Sequence, residues 1–121
     1  MWNKEKGDFC LKTNRLFGIK WYKHLYLGAS IKHESKRIKY KIIYHQRIYG
    51  YCLVTLPANT DNLLDIIYSE TLSLPYYKEQ SFDVIGLAGS KTEAFELVGH
   101  IVEEVYHKTG GFDIKRYLGY I

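Results

Sequence analysis

Hydrophobic and polar positions change period along this chain, and the change divides it. From Tyr49 onward the pattern is clear. Tyr51-Cys52-Leu53-Val54-Thr55-Leu56 is a β-rich apolar run closed by Pro57, which predicts a strand buried on both faces, the pattern of parallel sheets. Asn59 or Thr60 then caps a predicted short helix, with Leu63, Leu64, Ile66 and Ile67 apolar and Asp61 and Asp65 polar. Residues 69–81, with Pro75 and the pair Tyr76-Tyr77, read as a long loop. Phe82 to Ala88 predicts the next strand, and it leads into the strongest helix signal. Ser90 and Glu93 form an S-x-x-E capping box. Ala94, Phe95, Leu97, Val98, Ile101, Val102, Val105 and Tyr106 follow as one broad apolar face, and Gly110-Gly111 ends the helix. Phe112, Ile114 and Tyr117 suggest a final strand.

Before Tyr49 the pattern is weaker. Residues 1–23 hold no sustained period and mix basic residues with isolated aromatics, so they read as an arm preceding a single α/β domain at 24–121. Leu25-Tyr26-Leu27 before Gly28 predicts a short strand. Over 33–45 two templates compete. Ser30 as N-cap with Ile31, Ser35, Ile38 and Ile42 predicts a basic helix, whereas Ile38, Tyr40, Ile42 and Tyr44 alternate as in a strand. Helix is preferred, because His45-Gln46-Arg47 lacks the Gly or Asn of a tight hairpin. The order β-α-β-α-β-α-β then predicts an α/β fold, a small parallel or mixed sheet of about four strands covered by helices. A ferredoxin-like α+β arrangement is the alternative if 33–45 is strand.

Composition narrows the class. At 121 residues with 46% apolar and 25% charged positions, the chain is large enough for one core without disulfides or a structural metal. Cys10 and Cys52 fit neither a disulfide framework nor a C-x-x-C site. No run approaches the roughly 18 apolar residues that span a bilayer, and the N-terminus lacks the apolar segment of a signal peptide. A cytoplasmic protein without a transmembrane segment is expected. Tyrosine is in excess, with twelve residues, enough to complete a core or line a recognition surface.

Charge is unevenly divided. Residues 1–47 hold 12 Lys and Arg against 3 Asp and Glu, while residues 48–121 hold 5 against 10, within an overall charge of +4. The basic half suggests contact with nucleic acid or another anion through Lys20, Lys23, Lys32, Lys36, Arg37, Lys39 and Lys41, interleaved with aromatics that stack on bases. Lipid, an acidic protein or the chain's own acidic half would satisfy the same charges.

Other near-motifs are less specific. Gly86-Leu87-Ala88-Gly89-Ser90-Lys91-Thr92 sits where a phosphate loop would, but the glycine spacing is short and Ser90 intervenes before Lys91. Gly89, Ser90 and Lys91 therefore form a weak anion-binding candidate beside the simpler reading of a capped βα turn. His100, Glu104 and His107 share a helix face without the H-E-x-x-H pattern of zinc helices. Cys52 lies in an apolar strand, unlike a reactive thiolate. Asp61 and Asp65 fit helix surface better than an acid–base pair. No catalytic set, metal site or cofactor site is assigned.

At Leu25-Tyr26-Leu27-Gly28, Asn62-Leu63-Leu64-Asp65-Ile66-Ile67, Val84-Ile85-Gly86-Leu87-Ala88 and Gly110-Gly111-Phe112-Asp113-Ile114, the chain resembles an uncharacterised family of small proteins from Gram-positive gut anaerobes. The similarity runs from about residue 25 to the end. It implies a bacterial, cytoplasmic origin and brings no activity or site residues. The leading expectation is a non-enzymatic binding or regulatory domain acting through a protein partner or self-association. The alternatives are a nucleic-acid binder using the basic half and a small enzyme with its site at the strand C-terminal ends, near Pro57 to Thr60 and Gly86 to Lys91.

Overall fold

Four strands form one mixed sheet in the order β1-β4-β2-β3. The computed structural model describes residues 19–44, 49–57, 61–74 and 81–120. Its elements are β1 (Ile19–Leu27), α1 (Ser35–Ile43), β2 (Cys52–Thr55), β3 (Asp65–Tyr68), β4 (Phe82–Ala88), α2 (Lys91–Thr109) and α3 (Ile114–Leu118). Short 3-10 turns occupy Ala29–Ile31 and Ser69–Ser73. β1 and β4 run parallel, and β2 runs antiparallel to both β4 and β3.

Helices cover both faces of the sheet. On one side, Ile38 and Ile42 of α1 pack with Ile31, Leu53, Leu72, Val84 and Leu87. On the other, Ala94, Leu97, Ile101 and Val105 of α2 and Ile114 and Leu118 of α3 pack with Cys52, Val54, Ile85 and Ala88. Alternate strand residues point to opposite faces, so β2 and β4 must be apolar nearly throughout. All four residues of β2 are buried. Gly86 gives α2 its close seat: a Cβ there would stand 3.0 Å from a Leu97 methyl and 3.2 Å from Val54.

The mixed, helix-covered sheet agrees with the sequence expectation, and so does the basic helix over 35–43. Five details differ. β2 is buried on both faces yet antiparallel, because helices on two sides produce the same apolar run whichever way the neighbours run. Asp65–Tyr68 is strand and not helix: its β-branched pair Ile66-Ile67 lies opposite Val54 and Leu53, and the Asn62 side-chain amide donates to Asp65 at 3.1 Å in the turn before it. The predicted last strand is helix α3, whose N-cap Asp113 accepts from the Arg116 amide at 3.3 Å and whose end Gly119 has φ 91°. β1 starts at Ile19, so residues 19–23 belong to the sheet rather than to an arm. Ser30 sits in a 3-10 turn, and α1 starts at Ser35 behind Glu34. Residues 1–18, with Cys10 and most of the expected arm, lie outside the described residues.

The core of α2 is narrow. Ala94, Leu97, Ile101 and Val105 are buried, but Phe95 and Tyr106, expected on the same apolar face, are 58% and 49% exposed. At 100° per residue they lie roughly 120° and 140° around the helix from Ile101. Truncating Ile101 to Ala is therefore expected to cost about 2–5 kcal/mol. Phe95→Ala should stay within about 0.5 kcal/mol. Urea unfolding at dilute protein checks this, and comparable losses at the two positions would mean that α2 is rotated differently.

Candidate functional site

The βα turn after β4 has already taken an anion, its own. The Ser90 hydroxyl accepts from the Glu93 amide at 3.1 Å, as a capping box requires. The Glu93 carboxylate then reaches past the cap. It accepts from the Gly89 amide at 2.7 Å, the Ser30 hydroxyl at 2.8 Å and the Ser30 amide at 3.0 Å. Burial opposes the charge, but these three hydrogen bonds outweigh it and hold Glu93 below the usual carboxylate range. The expected anion contacts divide accordingly. The Gly89 amide and Ser90 hydroxyl are engaged internally, while Lys91 Nζ lies 5.9 Å from the Tyr68 ring and 5.8 Å from the Phe95 ring. Gly28 is required for room: its backbone is extended, but a Cβ would stand 2.3 Å from Glu93 Oε1.

A second carboxylate fixes the same side of α2. Tyr26 of β1 and Tyr117 of α3 each donate a phenol hydrogen bond of 2.8 Å to Glu104 Oε2. Tyr22 stacks on Tyr26 with centroids 6.3 Å apart and meets Tyr120 at 6.1 Å. Burial, then the bond to Glu104, pushes the Tyr26 phenol far above its ordinary value; for Tyr117 the bond to Glu104 leads. These phenols are neutral donors that anchor a carboxylate. Four of the twelve tyrosines are thus explained as structure.

The basic candidates do not form one cluster of free cations. Lys20 and Lys23 are exposed on the edge strand β1, and Lys32 and Lys36 are exposed around the start of α1. Arg37 is paired with Glu34, and Lys39 stands 5.2 Å over the Trp21 ring. Lys41 is half-buried. Tyr40, 49% exposed, packs on Tyr44 at 4.6 Å beside them.

The candidate enzyme site divides as well. β2 runs against β4, with Cys52 opposite Ala88 and Thr55 opposite Val84, so Pro57 and the turn at Gly89 lie at opposite ends of the sheet. Residues 58–60 lie outside the described residues. Cys52 is buried, and burial raises its thiol pKa. Among the described residues no three His, Cys, Asp or Glu side chains converge to hold a metal ion, and no helix there is long and apolar enough to cross a membrane.

What remains is the flank of α2 opposite Glu93 and Glu104. Phe95, Gly99, Val102 and Tyr106 follow one another at helical spacing, and Phe112, 53% exposed, stacks on Tyr106 with centroids 5.2 Å apart and 18° between planes. Gly99, Val102, Tyr106 and Phe112, together with Glu96, His100 and Glu103, line an open hollow of about 730 Å³, and Phe95 stands one turn before it on the same flank. Leu63, 46% exposed, continues the apolar surface through a smaller hollow that shares Phe112. A mid-helix glycine costs about 1 kcal/mol relative to alanine, yet among the described residues a Cβ on Gly99 would meet no atom within 4 Å beyond its own helical turn. Aromatics that the sequence pattern assigns to the core are instead the surface feature.

Comparison with protein-family models, curated protein sequences and solved structures finds no match. The geometry is therefore the basis for a functional reading.

Three predictions concern the anchors. Because the Glu93 pKa is depressed on folding, its contribution is full above the ordinary carboxylate value of 4.5 and is lost as pH falls through the folded value. Glu93→Gln should cost about 1 kcal/mol at pH 7, allowing for solvent exposure, and should flatten the acid limb of a denaturation series. Gly28→Ala should destabilise the native chain but do much less in the Glu93→Ala background; additive losses would separate the two positions. For Tyr26 the folded pKa is raised, so its contribution is full below the ordinary 10.0 and is lost as pH rises beyond it. Tyr26→Phe should cost about 1 kcal/mol at pH 7 and reduce alkaline destabilisation. Absorbance titration of tyrosinate checks this, since ionisation of Tyr26 before unfolding would contradict it.

Proposed function

We propose that this chain is a bacterial, cytoplasmic binding domain that acts without catalysis, through protein contacts made by the aromatic flank of α2. One observation carries the reading: Phe95, Tyr106 and Phe112 are each about half exposed on one flank of α2, the last two stacked on each other at the edge of a hollow. Contiguous exposed apolar patches rimmed by polar groups mark interaction sites. Aromatic side chains also supply large contact area at low entropy cost, and interface cores are enriched in them. The rim here is polar, formed by Glu96, His100 and Glu103.

A second reading has its own observation. Lys32 and Lys36 are exposed near the exposed Tyr40 on the opposite side of the sheet, a combination suited to nucleic acid. One experiment weighs both. A photo-crosslinking phenylalanine analogue is placed at Phe112, at Tyr40 or at the exposed control Tyr49, and adducts are recovered from cells. The α2 reading expects protein adducts at Phe112 that disappear with Gly99→Arg. Adducts to nucleic acid at Tyr40 with none at Phe112 would favour the second reading, and equal adducts at all three positions would contradict the first.

A further inference from the structure

We infer that the protein seated on the α2 flank is a second copy of this chain, packed antiparallel, α2 against α2, about a two-fold axis near Gly99 to Val102. This rests on the reading of that flank as a contact surface. The stripe is complementary to its own reverse. Phe95-Gly99-Val102-Tyr106 laid against itself antiparallel sets Phe95 against the second copy's aromatic pair, Tyr106 stacked with Phe112, and sets Gly99 against Val102. A large side chain meets an aromatic wall, and a residue without a side chain meets a branched one. Among the described residues nothing packs closely enough on Gly99 to require a glycine; a partner helix approaching closely supplies a reason.

Charge complementarity fits the same arrangement. The adjacent row on α2 reads Glu96, His100, Glu103, His107. Reversed about nearly the same midpoint, it sets Glu96 opposite His107 and His100 opposite Glu103. An imidazole offers a carboxylate an N–H donor in either protonation state. Parallel packing in register would set like groups together. Within one chain, Glu103 and His107 already stand 3.9 Å apart and are well exposed, about 68% and 69%, so the row is available to a partner. The antiparallel arrangement also opposes the two helix dipoles. The contact is isologous and closes as a dimer, whereas basic α1 against the acidic row would be head-to-tail and would propagate unless its rotation closed a ring.

The test is the mass of the purified full chain by sedimentation equilibrium from roughly 1 µM to 1 mM, a range that covers weak to moderate association. The expected result is a reversible dimer of twice 14.2 kDa. Phe95→Asp and Gly99→Arg change exposed positions and should keep the helical circular dichroism while abolishing the dimer. His100→Glu places carboxylates opposite each other and should weaken the dimer about fivefold, the size of a rim charge effect. Adding Glu103→His to it restores opposite partners and should recover the affinity. A monomer throughout the range would overturn the inference. So would a dimer indifferent to Phe95→Asp and Gly99→Arg, or a double variant no better than His100→Glu alone. Failure of this proposal is separable from failure of the α2 reading: adducts at Phe112 to a different protein keep the reading and remove the second copy, whereas loss of specific adducts removes both.

Discussion

The rotation of α2 about its own axis is the setting on which the rest of the molecule depends, and two carboxylates hold it. Glu93 and Glu104 are eleven positions apart, about three turns, so they lie on one line of the helix. Glu93 is held by the turn that follows β1, and Glu104 by Tyr26 of β1 and Tyr117 of α3. Both pull the same side of α2 towards β1. The apolar arc from Ala94 to Val105 then faces the sheet, and Phe95, Gly99, Val102 and Tyr106 are carried to the opposite flank. Turning Phe95 inward would withdraw Glu93 from three donors and Glu104 from two, and charge-assisted hydrogen bonds of this kind contribute more than neutral ones.

The same anchors account for how the chain uses its polar groups. A helix N-terminus attracts anions, and the βα turn at Gly89 has the backbone for it; the fold satisfies that turn with a carboxylate from the helix it starts. The two longer helices meanwhile differ in charge. α1 carries Lys36, Arg37, Lys39 and Lys41 with no acid, and α2 on the other face carries Glu93, Glu96, Glu103 and Glu104 against Lys91 and Lys108. The division visible between the two halves of the sequence reappears, weakened, between these two helices, since α3 adds Lys115 and Arg116 to the α2 side. With Arg37 on Glu34 and Lys39 on Trp21, part of the basic face is used locally.

Local signals were legible and distant ones were not. The Ser90 to Glu93 cap, the Gly110 terminus of α2 and the basic helix α1 follow from neighbours within a turn or two. Burial of β2 on both faces was legible, but its direction was not, because an apolar run records how much is covered and not which way the next strand runs. Asp65 to Tyr68 became strand through pairing with β2, and α3 is too short for a period to declare itself. The anchor from Glu93 to Ser30 spans 63 residues, and no spacing rule reaches that far. The α2 flank was half visible. Eight apolar positions from Ala94 to Tyr106 cover more of a helix than one sheet can bury, and no described residue crowds Gly99 among them; together they signal two faces instead of one.

Hydroxyl-radical footprinting of the native chain across protein concentration reads out both the rotation of α2 and the contact on its flank, because oxidation reports each aromatic separately. Phe95, Tyr106 and Phe112 should be oxidised at low concentration and protected at high concentration, while Tyr40 and Tyr49 are oxidised at both. Protection of Phe95 and Tyr106 at every concentration would mean that α2 is turned differently and buries them. Oxidation at every concentration would leave the flank without a second copy upon it.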